Sequence, residues 1–166
     1  ELISKVYFPR LVLPIASSFS VLVDFFVGLV TLGVLLLLYQ TPFTWNLLAL
    51  PGLVLVNLLI SVGVSFWISA FSVHYRDFIY ALPFLIQAWM YASPVAYSSS
   101  IVPEQWKALY VLNPMVGIIE GFRWALLGQG EFSWLSFAVS LAVSIVMFFS
   151  GAMVFRRIER GFADVI

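Results

Sequence analysis

An all-α, polytopic membrane protein is the fold class this sequence predicts, and three observations predict it. The 166 residues are 63% hydrophobic and only 10% charged, where soluble domains run at about 45–50% apolar and about 25% charged. Mean hydropathy is +1.06, more apolar surface than a water-soluble fold of this size can hide. The apolar residues also come in long continuous runs. In lipid every backbone N–H and C=O must be satisfied internally, so a spanning chain is either helical or a closed barrel. A barrel strand alternates apolar and polar residues over about ten positions, and these runs do not.

A span needs about 20 mostly apolar residues. The first runs from Leu13 to Tyr39 and ends at the turn-like Gln40-Thr41-Pro42. The second runs from Leu47 to Val73 and ends at His74-Tyr75-Arg76-Asp77. The third, Phe78 to Ala96, is the shortest and carries Pro83 and Pro94, which predicts a kink or break. The fourth runs from Phe132 to Phe155 and ends at Arg156-Arg157. Basic residues orient the spans. Lys5, Arg10, Arg76, Arg156, Arg157 and Arg160 fall on one side, Lys107 and Arg123 on the other. The first side is expected to be cytoplasmic, with both ends of the chain there.

The connection Tyr97–Glu131 is too apolar for a free loop and too charged for a span. Pro103 precedes a helix start at Glu104-Gln105-Trp106-Lys107. Asn113-Pro114 reads as an N-cap followed by proline at the first helical position, and Gly128 reads as a C-terminal stop. Met115, Ile118, Ile119, Phe122 and Leu126 follow helical spacing, and Glu120 and Arg123 are three apart, close enough to pair. Two short outer-side helices are predicted, either re-entrant or interfacial.

Polar residues form stripes inside the spans. Ser17, Ser20, Asp24, Gly28 and Thr31 fall within an arc of about 80° at 100° per residue. Asp24 is the ionisable residue well inside that span. An intramembrane carboxylate faces a protein interior or a wet cavity, so Asp24 is either a transport-path residue or part of a small-residue packing face. Asn57, Ser61, Ser65 and Ser69 make a second stripe, and Ser136, Ser140, Ser144 and Gly151 a third; small polar residues at this spacing favour close helix contact over pore lining. On the third span Tyr80, Phe84, Gln87 and Tyr91 share an arc of about 60°. Aromatic faces with a polar handle suit a sliding sugar chain, although aromatics also gather at membrane interfaces. Trp89 lies on the opposite face.

Several chemistries have no basis here. With no cysteine, disulfides and thiolate chemistry are excluded. Zero formal net charge gives no basic field for nucleic acid. The phosphate-binding G-x-x-x-x-G-K-[ST] loop and the H-E-x-x-H and G-x-S-x-G motifs do not occur. The lone His74 reads as a histidine at a helix end. No cofactor or metal is expected on this chain, nor catalysis by it alone.

Four stretches carry a family resemblance. Lys5-Val6-Tyr7-Phe8-Pro9-Arg10, followed by Leu13-Pro14, precedes the first span. His74-Tyr75-Arg76-Asp77 closes the second. Leu112-Asn113-Pro114-Met115 opens the helix that continues to Phe122-Arg123, and the run from Phe155 to Ile166 ends the chain. In order and spacing these resemble the ABC type-2 permeases, in the branch that exports O-antigen, capsular polysaccharide or teichoic acid. The resemblance implies one partial transmembrane domain over residues 1–166, the last four of six spans, without the N-terminal interface helix and first two spans. It implies a bacterial inner-membrane location and a homodimer of permeases working with two ABC ATPase subunits that carry ATP and Mg. Lys5, Tyr7 and Arg10 become ATPase-contact candidates, and Asn113, Glu120 and Arg123 outer-gate candidates. Asp24, Tyr80, Phe84, Gln87 and Tyr91 become substrate-path candidates for a lipid-linked glycan. The terminal Arg156-Arg157-Ile158-Glu159-Arg160 run also suits anchoring on anionic membrane lipids. Other readings are a drug or lipid exporter of the same fold, an ion-coupled transporter using Asp24, and a membrane enzyme using Glu104, Glu120 and Glu131.

Overall fold

The computed structural model describes residues 12–41, 44–128 and 132–163. Six α-helices are described: α1 (Val12–Leu38), α2 (Leu50–His74), α3 (Phe78–Ala92), α4 (Glu104–Val111), α5 (Pro114–Leu127) and α6 (Trp134–Ala163). Short 3-10 turns cover Trp45–Ala49 and Ser99–Ile101. Among the described residues α1, α2 and α6 are each long and apolar enough to cross a membrane.

Local chemistry sets the boundaries. At the end of α1, Gln40 takes a left-handed φ of 53°. The Thr41 amide donates to Leu36 O and the Gln40 amide to Leu37 O, each at 3.1 Å, which is the paired closure of a Schellman motif. Pro51 sits in the first turn of α2, where its missing N–H costs nothing. Gly128 ends α5 at φ 63°, its amide donating to Trp124 O.

The third apolar run is broken, and earlier than its length in sequence implies. α3 stops at Ala92 after 15 residues, about 22 Å at 1.5 Å per residue, short of the hydrocarbon thickness of about 30 Å. Pro94 is the cause: the residue before a proline is pushed out of the helical region, and Ser93 sits at φ −110°, ψ 149°. Pro83 is accommodated inside the helix.

The core lies between α2, α5 and α6. α2 and α6 run side by side in the same direction, with Phe66 meeting both Phe148 and Phe155 and Trp67 Nε1 donating to Ser150 Oγ at 3.2 Å. They approach at two glycines: a Cβ on Gly151 would stand 2.8 Å from Gly63 O, and one on Gly63 would stand 2.7 Å from Phe148 N. Helix association in lipid relies on such close backbone packing. α5 runs antiparallel to both and fills the angle between their first halves. Val56, Ile60 and Ile118 form the buried cluster there, with Val64, Met115, Phe122, Phe137, Leu141 and Met147 packed around it. α1 folds back along α2 and touches α5 through Phe25 and Phe122, ring centroids 5.8 Å apart.

The buried residues of α5 are Pro114, Val116, Gly117, Ile118, Gly121 and Ala125, and Met115 and Phe122 of its apolar stripe pack against the core beside them. Gly117, Gly121 and Ala125 recur every four residues, the small-xxx-small pattern of close helix contact. A Cβ on Gly117 would collide with Ser136 O, and one on Gly121 would stand 2.5 Å from Leu53 Cδ2.

Candidate functional site

The two ends of the bundle differ. One holds Arg76, Asp77, Arg156 and Arg157, all exposed. Beside them a groove of about 180 Å³ runs between α2 and α6, lined by Trp67, Ala70, Phe71, Tyr75, Val154 and Ile158. Lys5, Tyr7 and Arg10 lie outside the described residues, as does the His74 side chain. The opposite end carries exposed indoles at Trp45, Trp106 and Trp134, as expected of residues at a membrane–water boundary.

Along the bundle the three polar stripes meet different fates. On α6, Ser136, Ser140 and Ser144 are buried, the last two completely. Ser140 Oγ donates to Ser136 O at 2.8 Å and Ser144 Oγ to Ser140 O at 2.7 Å, so the hydroxyls are satisfied inside their own helix while their face stays narrow. On α2 the stripe points away from the core. Leu53, Val56, Ile60, Gly63, Phe66 and Ala70 are buried, and Ser61 on the far side is exposed, with Ser61 Oγ donating to Asn57 O at 2.7 Å and Ser65 Oγ to Ser61 O at 2.8 Å. Asn57, Ser65 and Ser69 of the same stripe are half-buried, so part of it is covered and Ser61 is its most open position.

Asp24 and Gly28 on α1 are likewise exposed, with open space around Gly28; the side chains of Ser17 and Ser20 lie outside the described residues. Thr31 bonds its own helix at Val27 O, 2.8 Å. α3 has no buried residue. Tyr80, Phe84 and Tyr91 are 85%, 75% and 66% exposed, and Gln87 is exposed with them. An apolar helix thus presents three aromatic rings and an amide on a face that nothing described covers.

The outer-helix residues gather where α3 breaks off. The Asn113 side chain accepts from the Met115 amide at 3.0 Å, the N-cap its sequence implied. Its amide nitrogen donates across to Ala92 O at 3.1 Å and Ser93 Oγ at 3.0 Å where α3 ends, while the Ser93 hydroxyl itself donates to Trp89 O at 2.8 Å. One turn and more along α5, Ser99 donates to Glu120 Oε1, and Arg123 Nη2 donates to Pro94 O at 2.6 Å and Val95 O at 3.3 Å. Glu120 and Arg123, expected to pair with each other, serve instead two parts of one loop. Burial raises the Glu120 carboxyl above the ordinary carboxylate range, and the Arg123 charge works against that rise. Behind the loop lies a cavity of about 470 Å³ lined by Ala92, Tyr97, Trp106, Tyr110 and Asn113 among others. α4, above it, is exposed along most of its length and carries the Lys107–Glu104 pair at 3.4 Å.

Known proteins give this helical arrangement a class. Residues 2–127 match the family described as ABC-2 type transporter, and the chain belongs to that family. Among its relatives it is similar to the O-antigen export system permease protein RfbA of Myxococcus xanthus, 29% identical over 169 residues that cover all of this chain and 65% of that protein. It is also similar to the RfbA permease of Klebsiella pneumoniae, 23% identical with all of this chain and 64% of that protein covered. The inner membrane transport permease YadH of Escherichia coli K12 is 31% identical over 127 residues, 75% of this chain and 48% of that protein. The chain spans just under two thirds of the length of the O-antigen permeases it matches, and that similarity takes in α6, which lies beyond the family match.

Proposed function

We propose that this chain forms the greater part of the membrane-embedded permease of an ATP-driven exporter, and that its cargo is a lipid-linked polysaccharide such as O-antigen, capsule or teichoic acid. The observation that carries the reading is similarity along the whole chain to two permeases named for O-antigen export. The uncovered α3 face supports it: Tyr80, Phe84 and Tyr91 offer ring surfaces to sugar C–H groups, and Gln87 offers an amide to hydroxyls. Asp24 stands as a path candidate on α1, and Asn113, Glu120 and Arg123 as the outer gate.

In this reading two permeases pair, and each engages an ATPase that binds ATP and Mg. The end bearing Arg76, Arg156 and Arg157 faces the cytoplasm of a bacterium, by the excess of basic residues there. Lys5, Tyr7 and Arg10 are then the residues that meet the ATPase. An ABC-2 drug or lipid exporter is the second reading, favoured by one observation: only one amide accompanies three aromatic rings on the α3 face.

The test is purification of the full-length permease from native membranes in mild detergent, with mass spectrometry of its partners and analysis of surface glycan in a deletion strain. Recovery of an ABC ATPase and loss of surface glycan are expected. Intact glycan with altered drug tolerance would select the second reading. An intact permease with no ATPase would overturn both and bring ion coupling through Asp24 forward.

A further inference from the structure

The strongest feature outside the stripes is the way α5 holds the end of α3. α5 itself is keyed into the bundle, since Gly117 leaves no room for even a methyl group against the Ser136 carbonyl of α6, and Gly121 lies against the Leu53 side chain of α2. α3 is the reverse. With no buried residue, it meets the rest of the described chain mainly at its two ends. At the first, Phe78 lies 5.7 Å from Phe71 between ring centroids. At the second, Ser93 and Pro94 are buried and Tyr97 packs on Tyr110, and the hydrogen bonds come from the N-cap of α5 and two of its side chains: Asn113 on Ala92 and Ser93, Arg123 on Pro94 and Val95, and Glu120 on Ser99.

Asn113, Glu120 and Arg123 lie within an arc of about 80° on α5, flanking its small-residue face. We infer that they act together as a latch. α5 is the fixed side, and the end of α3 with the loop 93–101 is the side that swings free during transport. This deepens the gate role proposed above and rests on that transport reading. The chemistry suits repeated opening. Arg123 and Asn113 donate to neutral backbone carbonyls rather than to a buried carboxylate, so water can take over their bonds when the loop leaves. Segments with few apolar contacts are also those that open most readily. Ser93 and Pro94 are buried, but Val95, Ala96, Ser98, Ser100 and Ile101 are exposed. The cavity of about 470 Å³ bordered by Tyr97, Ile101 and Tyr110 leaves the loop room to move. Because α3 starts at the Tyr75–Asp77 turn, a push at that turn reaches the latch along a single short helix.

The absence of cysteine from this sequence makes a thiol test clean. Ser99→Cys with Glu120→Cys, in an otherwise cysteine-free full-length permease bound to its ATPase, is bridged by a short, reducible bis-thiosulfonate reagent. Export is expected to stop on bridging and to return on reduction. The same treatment of Trp67→Cys with Ser150→Cys, across the fixed α2–α6 contact, is expected to leave export unchanged. Spin labels at positions 99 and 120 are expected to separate during ATP turnover, and already at rest in Arg123→Ala but not in Arg123→Lys. Bridged permease that exports at the unbridged rate, or a label distance that stays constant through active turnover, overturns the latch and leaves the transporter reading standing. Absence of any ATP-driven export by the full-length permease with Ser99 and Glu120 intact overturns that reading, and the latch with it.

Discussion

α2 and α6 carry nearly the same signal in sequence, serines recurring every four residues, and the fold uses the two in opposite ways. On α6, Ser140 and Ser144 are completely buried; on α2, Ser61 is exposed. In both helices the hydroxyls bond back to a carbonyl one turn earlier. Hydrogen bonding therefore does not explain the difference. What lies opposite does: Ser136 and Ser140 of α6 face Gly117 of α5, where only a small side chain fits, whereas α2 turns Leu53, Val56, Ile60 and Phe66 inward and leaves Ser61 exposed and Ser65 and Ser69 half-buried. A self-satisfied serine is cheap to bury and cheap to expose, so the stripe marks a narrow helix face without saying what will stand beside it.

The comparison can be broken most severely at its point of closest approach. Gly151→Val places atoms where Gly63 O and the Phe66 Cβ already stand at 2.8 and 3.0 Å. It should lose more than any serine change, and little folded protein should survive size-exclusion chromatography in detergent. Next comes Ser140→Leu, an overpacked site expected to cost about 1–3 kcal/mol. Ser140→Ala should stay within about 0.5 kcal/mol, because no partner helix depends on that hydroxyl. Both are read from thermal unfolding in detergent. Asn113→Ala removes the cap of α5 and its hold on Ala92, for an expected loss of about 1 kcal/mol, measurable in the same assay. Smallest in stability, at about 0.5 kcal/mol or less, are Ser61→Leu and Gln87→Leu. Both should keep the unfolding temperature and, if the proposed cargo is right, reduce glycan export, since each alters a position the fold leaves exposed. If Ser61→Leu destabilised as much as Ser140→Leu, the α2 stripe would be a packing surface after all.

Much of the architecture was legible because it depends on local chemistry. Asn113-Pro114 and Gly128 bounded α5 correctly, and Pro94 announced that the third run would not continue as one helix. The apolar stripe of α5 was legible, and its Met115, Ile118 and Phe122 do reach the core, but the close contact through its small residues went unremarked. Gly117, Gly121 and Ala125, four apart, were the signal that would have found it. The substrate-path candidates were named from a shared face, and the structure leaves Asp24, Tyr80, Phe84, Gln87 and Tyr91 exposed. Glu120 and Arg123 were placed in the right element with the wrong partners, because their partners sit on a loop more than twenty residues earlier in the chain.

By itself, then, the sequence determined the solvent this protein requires, the approximate position of its helices and the caps that bound α5. Those follow from hydropathy, from proline and glycine geometry and from capping, all of which act within a few residues. The tertiary structure alone decided which serine stripe is buried, which face of α5 is keyed to its neighbours, and that three polar side chains of α5 hold the broken end of α3. These depend on shape and spare hydrogen-bonding groups brought together from distant parts of the chain, where spacing along one helix carries no information about what stands across from it.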